Sequence, residues 1–188
     1  MAQAKKRQRF FDVDMPIIGK DTQLYDYELE NLNGKIISYD LTRLLRGKSV
    51  LLKLKIKIEG GKAIAEPIEM VVLPYFIRRM MRKGTNYVED SFSAECKDAK
   101  VRIKPFLITR KKVSRAIRKA LRDKAREELT NYVKTKDTET LFNEIIQSKI
   151  QKNLSLALKK VYPLSLCEIR MFKVEKKSGD GKLTVKKP

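Results

Sequence analysis

One amphipathic segment near the middle of the chain constrains the fold more than any other feature. Between Leu107 and Lys136 apolar residues recur every three or four positions, a spacing that places them on one stripe of an α-helix. The pattern predicts a long helix packed on a core. The stripe consists of Val113, Ala116, Ile117, Ala120, Leu121, Ala125, Leu129 and Val133.

The same segment carries a second face of positive charge. Between Arg110 and Arg126 the only acid is Asp123, so like charges repel along the helix by ~0.2–0.5 kcal/mol per pair. A polyanion would remove this repulsion, because arginine holds phosphate oxygens by two-point contact. A merely solvated basic face is the alternative. The predicted RNA-binding cations here are Arg110, Lys111, Lys112, Arg115, Arg118, Lys119, Arg122 and Arg126.

Composition favours the polyanion. The 188 residues include 43 Lys and Arg against 23 Asp and Glu, a formal net charge of +20. So basic a chain repels itself unless counter-charge is bound. Its length is that of one domain with a real core. No apolar run approaches a membrane span, and the first residues lack the apolar centre of a signal peptide. We therefore expect a cytoplasmic protein without membrane contact.

Three parts are predicted along the chain. Residues 1–9 form a flexible basic arm, residues 10–175 a single α+β RNA-binding domain, and residues 176–188 a mobile polar tail. Basic arms often remain simple tails, but they can also become ordered along phosphates. The arm's predicted RNA-binding residues are Lys5, Lys6, Arg7 and Arg9.

The strongest strand pattern lies in the first half. From Val50 to Ile58 apolar residues alternate with lysines, and a Gly-Gly turn leads to a second strand over residues 63–72, which predicts a hairpin. Pro67 marks the second strand as an edge or bulged strand. Lysines on an outward strand face are more typical of solubility than of RNA contact.

A short helix beginning at Pro74 follows, and it supplies a second basic cluster. We expect Arg78, Arg79, Arg82 and Lys83 to point outward and bind RNA. A hairpin of residues 87–96 and 100–108 then leads into the long helix. A helix capped by Asp137 or Thr138 follows, its apolar stripe continues to Val161, and a last strand spans residues 166–174. The predicted class is α+β, with a curled, largely antiparallel sheet or partial barrel and helices packed on it.

The residues of common catalytic sites are missing. The chain contains no His, the commonest general base and metal ligand, and it has no phosphate-binding Gly-rich motif. Cys96 and Cys167 predict reduced, partly buried thiols. We therefore predict no catalytic or metal residues, no cofactor, no small-molecule substrate and no enzymatic activity.

Two alternatives remain open at this point. Asp90, Glu95 and Lys97 resemble the carboxylate and lysine set of metal-dependent nucleases, which hold Mg²⁺ beside a phosphodiester. A free basic nucleic-acid-binding protein, or one that binds a membrane surface, would use the same helix.

Aromatic residues give no sign of base recognition. They make up 7% of the chain, and Tyr39, Tyr87 and Phe92 lie in apolar strand patterns where core packing is expected. The pattern favours recognition of the RNA backbone through charge.

The order of elements resembles a known family. Residues 87–121 and 143–174 are similar to the second half of the small-subunit ribosomal proteins called S-one-e (older name S-three-a-e) of archaea and eukaryotes. The most telling residues are Tyr162-Pro163, Glu168-Ile169-Arg170 and Lys173-Val174. Upstream, residues 33–44 resemble the family signature but depart from it at Lys35, Ser38, Asp40 and Arg43.

The resemblance spans about Arg9 to Lys176. It implies a structural constituent of the small ribosomal subunit, on the platform near the mRNA exit and the 3′ end of the rRNA. The implied partners are small-subunit rRNA, neighbouring platform proteins and mRNA near its exit. Since the long C-terminal extension of eukaryotic members is missing, an archaeal or reduced member is expected.

Overall fold

The hairpin with the clearest alternation is present as predicted. The computed structural model describes residues 7–177. In this structure β4 (Val50–Glu59) pairs with β5 (Lys62–Val72) in antiparallel register. Gly60 and Gly61 both have positive φ, at 57° and 79°, which the tight turn requires and glycine adopts without steric cost. The register shifts opposite Pro67, so the predicted bulge is confirmed.

The described strands form one open sheet. Besides β4 and β5, they are β1 (Arg9–Met15), β2 (Lys20–Asp26), β3 (Ile36–Asp40), β6 (Tyr87–Glu89), β7 (Phe92–Glu95), β8 (Ala99–Thr109) and β9 (Leu164–Lys177). The main path of the sheet runs β2-β1-β5-β9-β8-β6, with β4 pairing with β5, β3 with β4, and β7 with β8. All pairs are antiparallel except β1 with β5. The predicted α+β class is confirmed, and the sheet does not close into a barrel.

The helices pack on the second half of this sheet. Besides a short 3-10 turn at Glu30–Leu32, they are α1 (Pro74–Met80), α2 (Arg115–Lys134), α3 (Thr138–Ile146) and α4 (Lys149–Lys159). The long helix α2 lies against β6, β7 and α4, while α4 lies on β9. Ser114 caps α2 by accepting a hydrogen bond from the Ile117 N–H, as serine does at helix starts.

The predicted apolar stripe of α2 is correct only in its later turns. Leu121, Ala125, Leu129 and Val133 are buried, and they are spaced four residues apart. Ala116 and Ala120 are exposed, while Val113 and Ile117 are partly buried. The helix packs on β6, β7 and α4 through its later turns, so its first turns project beyond the core.

Several predicted boundaries differ from the structure. Arg9 belongs to β1, where it pairs with Asp26, and β9 continues through Lys176, which pairs with Lys100. Arg9 was predicted to belong to the flexible arm and Lys176 to the mobile tail because of their charged surroundings. Both instead lie in strands that pair with a neighbouring strand. Residues 87–96 form two strands, because the chain leaves the ladder at Asp90 and Ser91. The hairpin of β1 and β2 was not predicted.

Tyr87 is the aromatic residue whose predicted burial is wrong. Its side chain is 57% exposed, because β6 is an edge strand and Tyr87 lies on its outer side. The ring stacks on Phe106 with centroids 6.1 Å apart. Tyr39 and Phe92 are partly buried against the core, as expected.

Both cysteines are free and partly buried, which confirms the predicted thiols. Burial, with a smaller effect from Glu168, raises the pKa of Cys167 to about 12. With this raised pKa, the Cys167 thiol is almost entirely protonated at pH 8. It should therefore react slowly, because the thiolate is the reactive form.

We predict that Cys167 resists alkylation in the folded protein. In a Cys96→Ser variant, iodoacetamide at pH 8 should label Cys167 roughly a thousandfold more slowly than in denaturant, because the raised pKa lowers the fraction of molecules that carry a thiolate by about that factor. Mass spectrometry of timed samples measures the rate. Equal rates in folded and unfolded protein would contradict the burial.

We also predict that Leu121→Ala lowers the free energy of unfolding by about 2–5 kcal/mol, because it opens a cavity at a fully buried site. The adjacent exposed variant Arg122→Ala should change it by less than about 0.5 kcal/mol. Urea unfolding followed by circular dichroism measures both. Similar losses would show that α2 does not pack through this stripe.

Candidate nucleic-acid interface

One end of the sheet collects the segments that carry most of the predicted cations. The antiparallel registers place the start of β4 beside the end of β5, and the end of β8 beside the start of β9. Because β5 pairs with β9 near Val71 and Met171, the β4–β5 pair and the β8–β9 pair share this end of the sheet. The loops that leave this end are residues 41–49, 73–86 and 110–114, and α2 begins there.

We call the exposed cations of these segments the basic edge. It contains eleven residues: Arg43, Arg46, Arg78, Arg79, Arg82, Lys83, Arg110, Lys111, Lys112, Arg115 and Lys119. Nine of them were predicted as RNA-binding residues. Within the described part of the chain, none of the eleven forms an ion pair with a carboxylate.

Asn86 joins the second loop to the third. The Asn86 N–H donates to Thr109 Oγ1 at 3.0 Å, and the Asn86 carbonyl accepts from the Thr109 N–H at 2.9 Å. The Asn86 side-chain oxygen accepts from the Val113 N–H at 2.8 Å. Thr109 is fully buried, and its hydroxyl also donates to the Lys111 carbonyl. These bonds fix the end of the second loop, at Asn86, against the approach to α2.

A second set of contacts joins the first loop to α1 and β9. The Leu73 N–H donates to the Ser49 carbonyl at 2.9 Å, and an Arg79 guanidinium nitrogen lies 3.5 Å from the Gly47 carbonyl. Lys48 forms an ion pair with Glu168 on β9. The basic edge is therefore a fixed arrangement of three loops.

Arg43 and Arg46 were missed by the sequence analysis. They lie in the loop after β3, where the Leu45 N–H donates to the Leu41 carbonyl and the chain then turns through Arg46 at φ 53° and Gly47 at φ 86°. The glycine predicted the turn, but its distance from α1 could not be read from the sequence. Lys159 and Lys160, just before β9, are also exposed.

Two predicted arginines on α2 differ from the others. Arg126 binds Asp90 through two hydrogen bonds of 3.0 Å and lies 5.5 Å from the centre of the Phe92 ring. A phosphate at Arg126 would have to compete with Asp90. Arg118 is partly buried, and its Nε has no hydrogen-bond partner among the described residues. Arg122 is exposed one turn further along the helix.

The N-terminal cations lie elsewhere. Arg7 and Arg9 are exposed at the opposite end of the sheet, because β1 runs parallel to β5 and meets it at Val13 and Ala63. From Ala63 to the end of β5 the strand extends by roughly 30 Å. Lys5 and Lys6 lie outside the described residues.

Two of the three lysines on the outer face of β4 are paired with acids from β5. Lys53 lies 3.1 Å from Glu69 and Lys57 lies 2.5 Å from Glu66. Lys35 binds Asp26, and this hydrogen bond, together with one from the Tyr27 N–H, lowers the pKa of Asp26. The acids thus neutralise most of the lysine charge on this face, which fits the predicted solubilising role.

The three residues of the nuclease hypothesis do not form a metal site. Asp90 is held by Arg126, and Lys97 lies 4.0 Å from Asp137. Glu95 is exposed at the end of β7. Among the described residues, no group of three or more Cys, Asp or Glu side chains is placed to hold a metal ion.

Comparison with known proteins decides the family. The sequence profile of the Ribosomal S3Ae family matches residues 6–178. The chain belongs to this family.

None of the described helices is long and apolar enough to cross a membrane.

The similar proteins carry one name. The chain is 26% identical over 179 residues to the small ribosomal subunit protein eS1 of Nanoarchaeum equitans, and the match covers 90% of each chain. The protein of the same name from Pyrobaculum aerophilum is 30% identical, over 73% of this chain and 63% of its own length. The one from Methanothermobacter thermautotrophicus is 31% identical, over 62% of each chain.

Family membership settles several predictions. The family consists of structural ribosomal proteins, so the predicted structural role in the small ribosomal subunit and the predicted lack of enzymatic activity are confirmed. The nuclease alternative and the alternative of a free nucleic-acid-binding protein are wrong. The archaeal relatives agree with the expected archaeal type of chain.

We predict that Asn86→Ala weakens the basic edge without changing its charge. The variant leaves the Val113 N–H without its acceptor, which should cost about 1–2 kcal/mol of stability. It should also lower RNA affinity, because the second and third loops lose their connection. Urea unfolding and a filter-binding titration with small-subunit rRNA measure the two effects.

Asn86→Asp is the control for stability, since it keeps the side-chain acceptor. Its stability should lie closer to that of the natural chain than to that of Asn86→Ala. Equal RNA affinity for Asn86→Ala and the natural chain would show that the loops hold their arrangement without Asn86.

Proposed function

We propose that the protein binds small-subunit rRNA through the basic edge, as a structural component of the platform near the mRNA exit and the 3′ end of the rRNA. One observation carries this proposal: eleven exposed cations from three separate segments lie at one end of the sheet, and none of them forms an ion pair within 4 Å in the described part of the chain. Repulsion among them is relieved when phosphates bind.

The start of α2 adds to the attraction for phosphate. A helix carries partial positive charge at its N-terminus, where the first N–H groups lack intrahelical partners. The first turn of α2 contains no acid, and Arg115 is its first residue. Lys111 and Lys112 directly precede the helix, so the dipole and the side chains attract the same anion.

Contact with the RNA backbone is favoured over reading of bases. Arginine and lysine contacts to phosphate position a protein without reading sequence. Two half-exposed aromatic residues lie at the basic edge, Tyr75 at 50% and Tyr87 at 57% exposure. We propose that they stack on unpaired bases where the rRNA strand leaves a helix.

The placement on the platform rests on the family resemblance. The relatives are named as small ribosomal subunit proteins, and we extend this to rRNA, neighbouring platform proteins and mRNA near its exit as partners. Arg7 and Arg9 lie at the far end of the sheet and, with Lys5 and Lys6, would contact a separate segment of rRNA.

A salt titration tests the basic edge directly. In a triple variant, Arg82, Lys111 and Arg115 are each replaced by Gln, removing one unpaired cation from the second loop, the third loop and α2. If all three contact phosphate, the slope of log affinity against log salt should flatten by roughly 2–3, at about 0.7–0.9 for each contact.

The matched control replaces Lys53, Lys55 and Lys57 by Gln. It removes the same charge from the outer face of β4, so it should change the slope by less than about 1. Circular dichroism of both variants shows whether the fold is retained. Equal slopes for the two variants would mean that net charge alone governs binding, and the proposed interface would be wrong.

A further inference from the structure

The outer face of the β1–β2 hairpin differs in chemistry from the basic edge. Residues directly opposite each other on this face are Phe10 with Tyr25, Asp12 with Gln23, and Asp14 with Asp21. All six are exposed. Val13 and Met15, which alternate with them, are fully buried. We call these six residues the hairpin face; it looks away from the core.

Two aromatic residues of the hairpin face form an exposed pair. Phe10 is 68% exposed and Tyr25 is 56% exposed, with ring centroids 4.9 Å apart. Tyr27 follows Tyr25 at the same strand period and is 49% exposed. Large aromatic surface left in water beside polar residues marks a site of contact with a partner.

The carboxylates of the hairpin face are not neutralised. Asp14 lies directly opposite Asp21, an arrangement that destabilises a strand pair. Neither of them, nor Asp12, has a cation within 4 Å among the described residues, although Gln23 donates to Asp12 at 3.0 Å. Several acids on other strands do have cations: Glu69 pairs with Lys53 and Glu175 with Arg102.

We propose that the hairpin face docks a segment rich in lysine and arginine from a neighbouring protein. Charge complementarity selects this partner, because three unpaired carboxylates attract cationic side chains and repel RNA phosphates. The Phe10 and Tyr25 rings take the aliphatic stems or the guanidinium planes of those side chains.

The edge position of β2 supplies a way to align such a segment. β2 ends the path of the sheet, so its outer backbone groups have no strand partner in the described part of the chain. An extended segment can therefore add to β2 as a further strand, with alternate side chains over the hairpin face.

Photocrosslinking in assembled subunits tests the docking surface. Benzoylphenylalanine replaces Tyr25 in the full chain, small subunits are assembled with it, and the irradiated products are separated by nuclease and protease digestion. We expect a crosslink to a protein segment rich in Lys and Arg. Replacing Asp12, Asp14 and Asp21 by Asn should lower its yield roughly tenfold, since three charge pairs are lost.

Tyr75 provides the matched control, because it is a tyrosine of similar exposure on α1 at the basic edge. Benzoylphenylalanine at that position should crosslink to rRNA. A crosslink from position 25 to rRNA, no crosslink there, or a yield that does not respond to the Asn substitutions would each overturn the docking surface.

A measurement on the free chain separates this inference from the proposed rRNA binding. Because the chain contains no Trp, Tyr25→Trp places a single indole on the hairpin face. Its fluorescence should respond to a peptide of alternating arginine and leucine and not to oligouridylate, and the three Asn substitutions should weaken peptide binding roughly tenfold. If the fluorescence does not respond to the peptide, the proposed docking on the hairpin face is wrong, whether or not the chain enters subunits.

Discussion

The pairing of β8 with β9 is the constraint on which the rest of the structure depends. The two strands pair along their whole length, from Ala99 with Lys177 to Thr109 with Leu164. Residues 164–177 return after three helices, so this pairing fixes where α2, α3 and α4 lie. It also joins the halves of the chain, since β9 pairs with β5 on its other side. Phe106 and Phe172, both fully buried, pack within this ladder.

Charge in this protein is sorted by position rather than spread evenly. In the described part of the chain, two lysines on the outer face of β4 pair with acids of β5, whereas the cations of the basic edge and the carboxylates of the hairpin face form no ion pair. Only the unpaired surfaces retain strong electrostatic attraction for a partner, because a neutralised pair has little field beyond a Debye length. Although the net charge is +20, the described surface thus includes both a cationic region, the basic edge, and an anionic region, the hairpin face.

Much of the fold followed from local pattern. Alternation predicted β4 and β5, and the glycines predicted their turn. Helical spacing predicted α2 and the helical stripe that the structure divides into α3 and α4, because these periods reflect which face meets a core. The β1–β2 hairpin was not predicted, since Pro16 and Gly19 interrupt its pattern. The burial of the α2 stripe was overestimated, because spacing does not show where a neighbouring element ends. Tyr87 was placed in the core for the same reason.

The sequence by itself determined the class of fold, the kind of partner and most of the cations of the basic edge, because composition and period are properties of short stretches of chain. Tertiary structure alone decided which cations act together. It joined Gly47 to Arg79 on α1, bound Asn86 to Val113 just before α2, and paired Arg126 with Asp90. These contacts connect residues distant in sequence, and no local pattern encodes the strand registers that bring them within a few ångströms of each other.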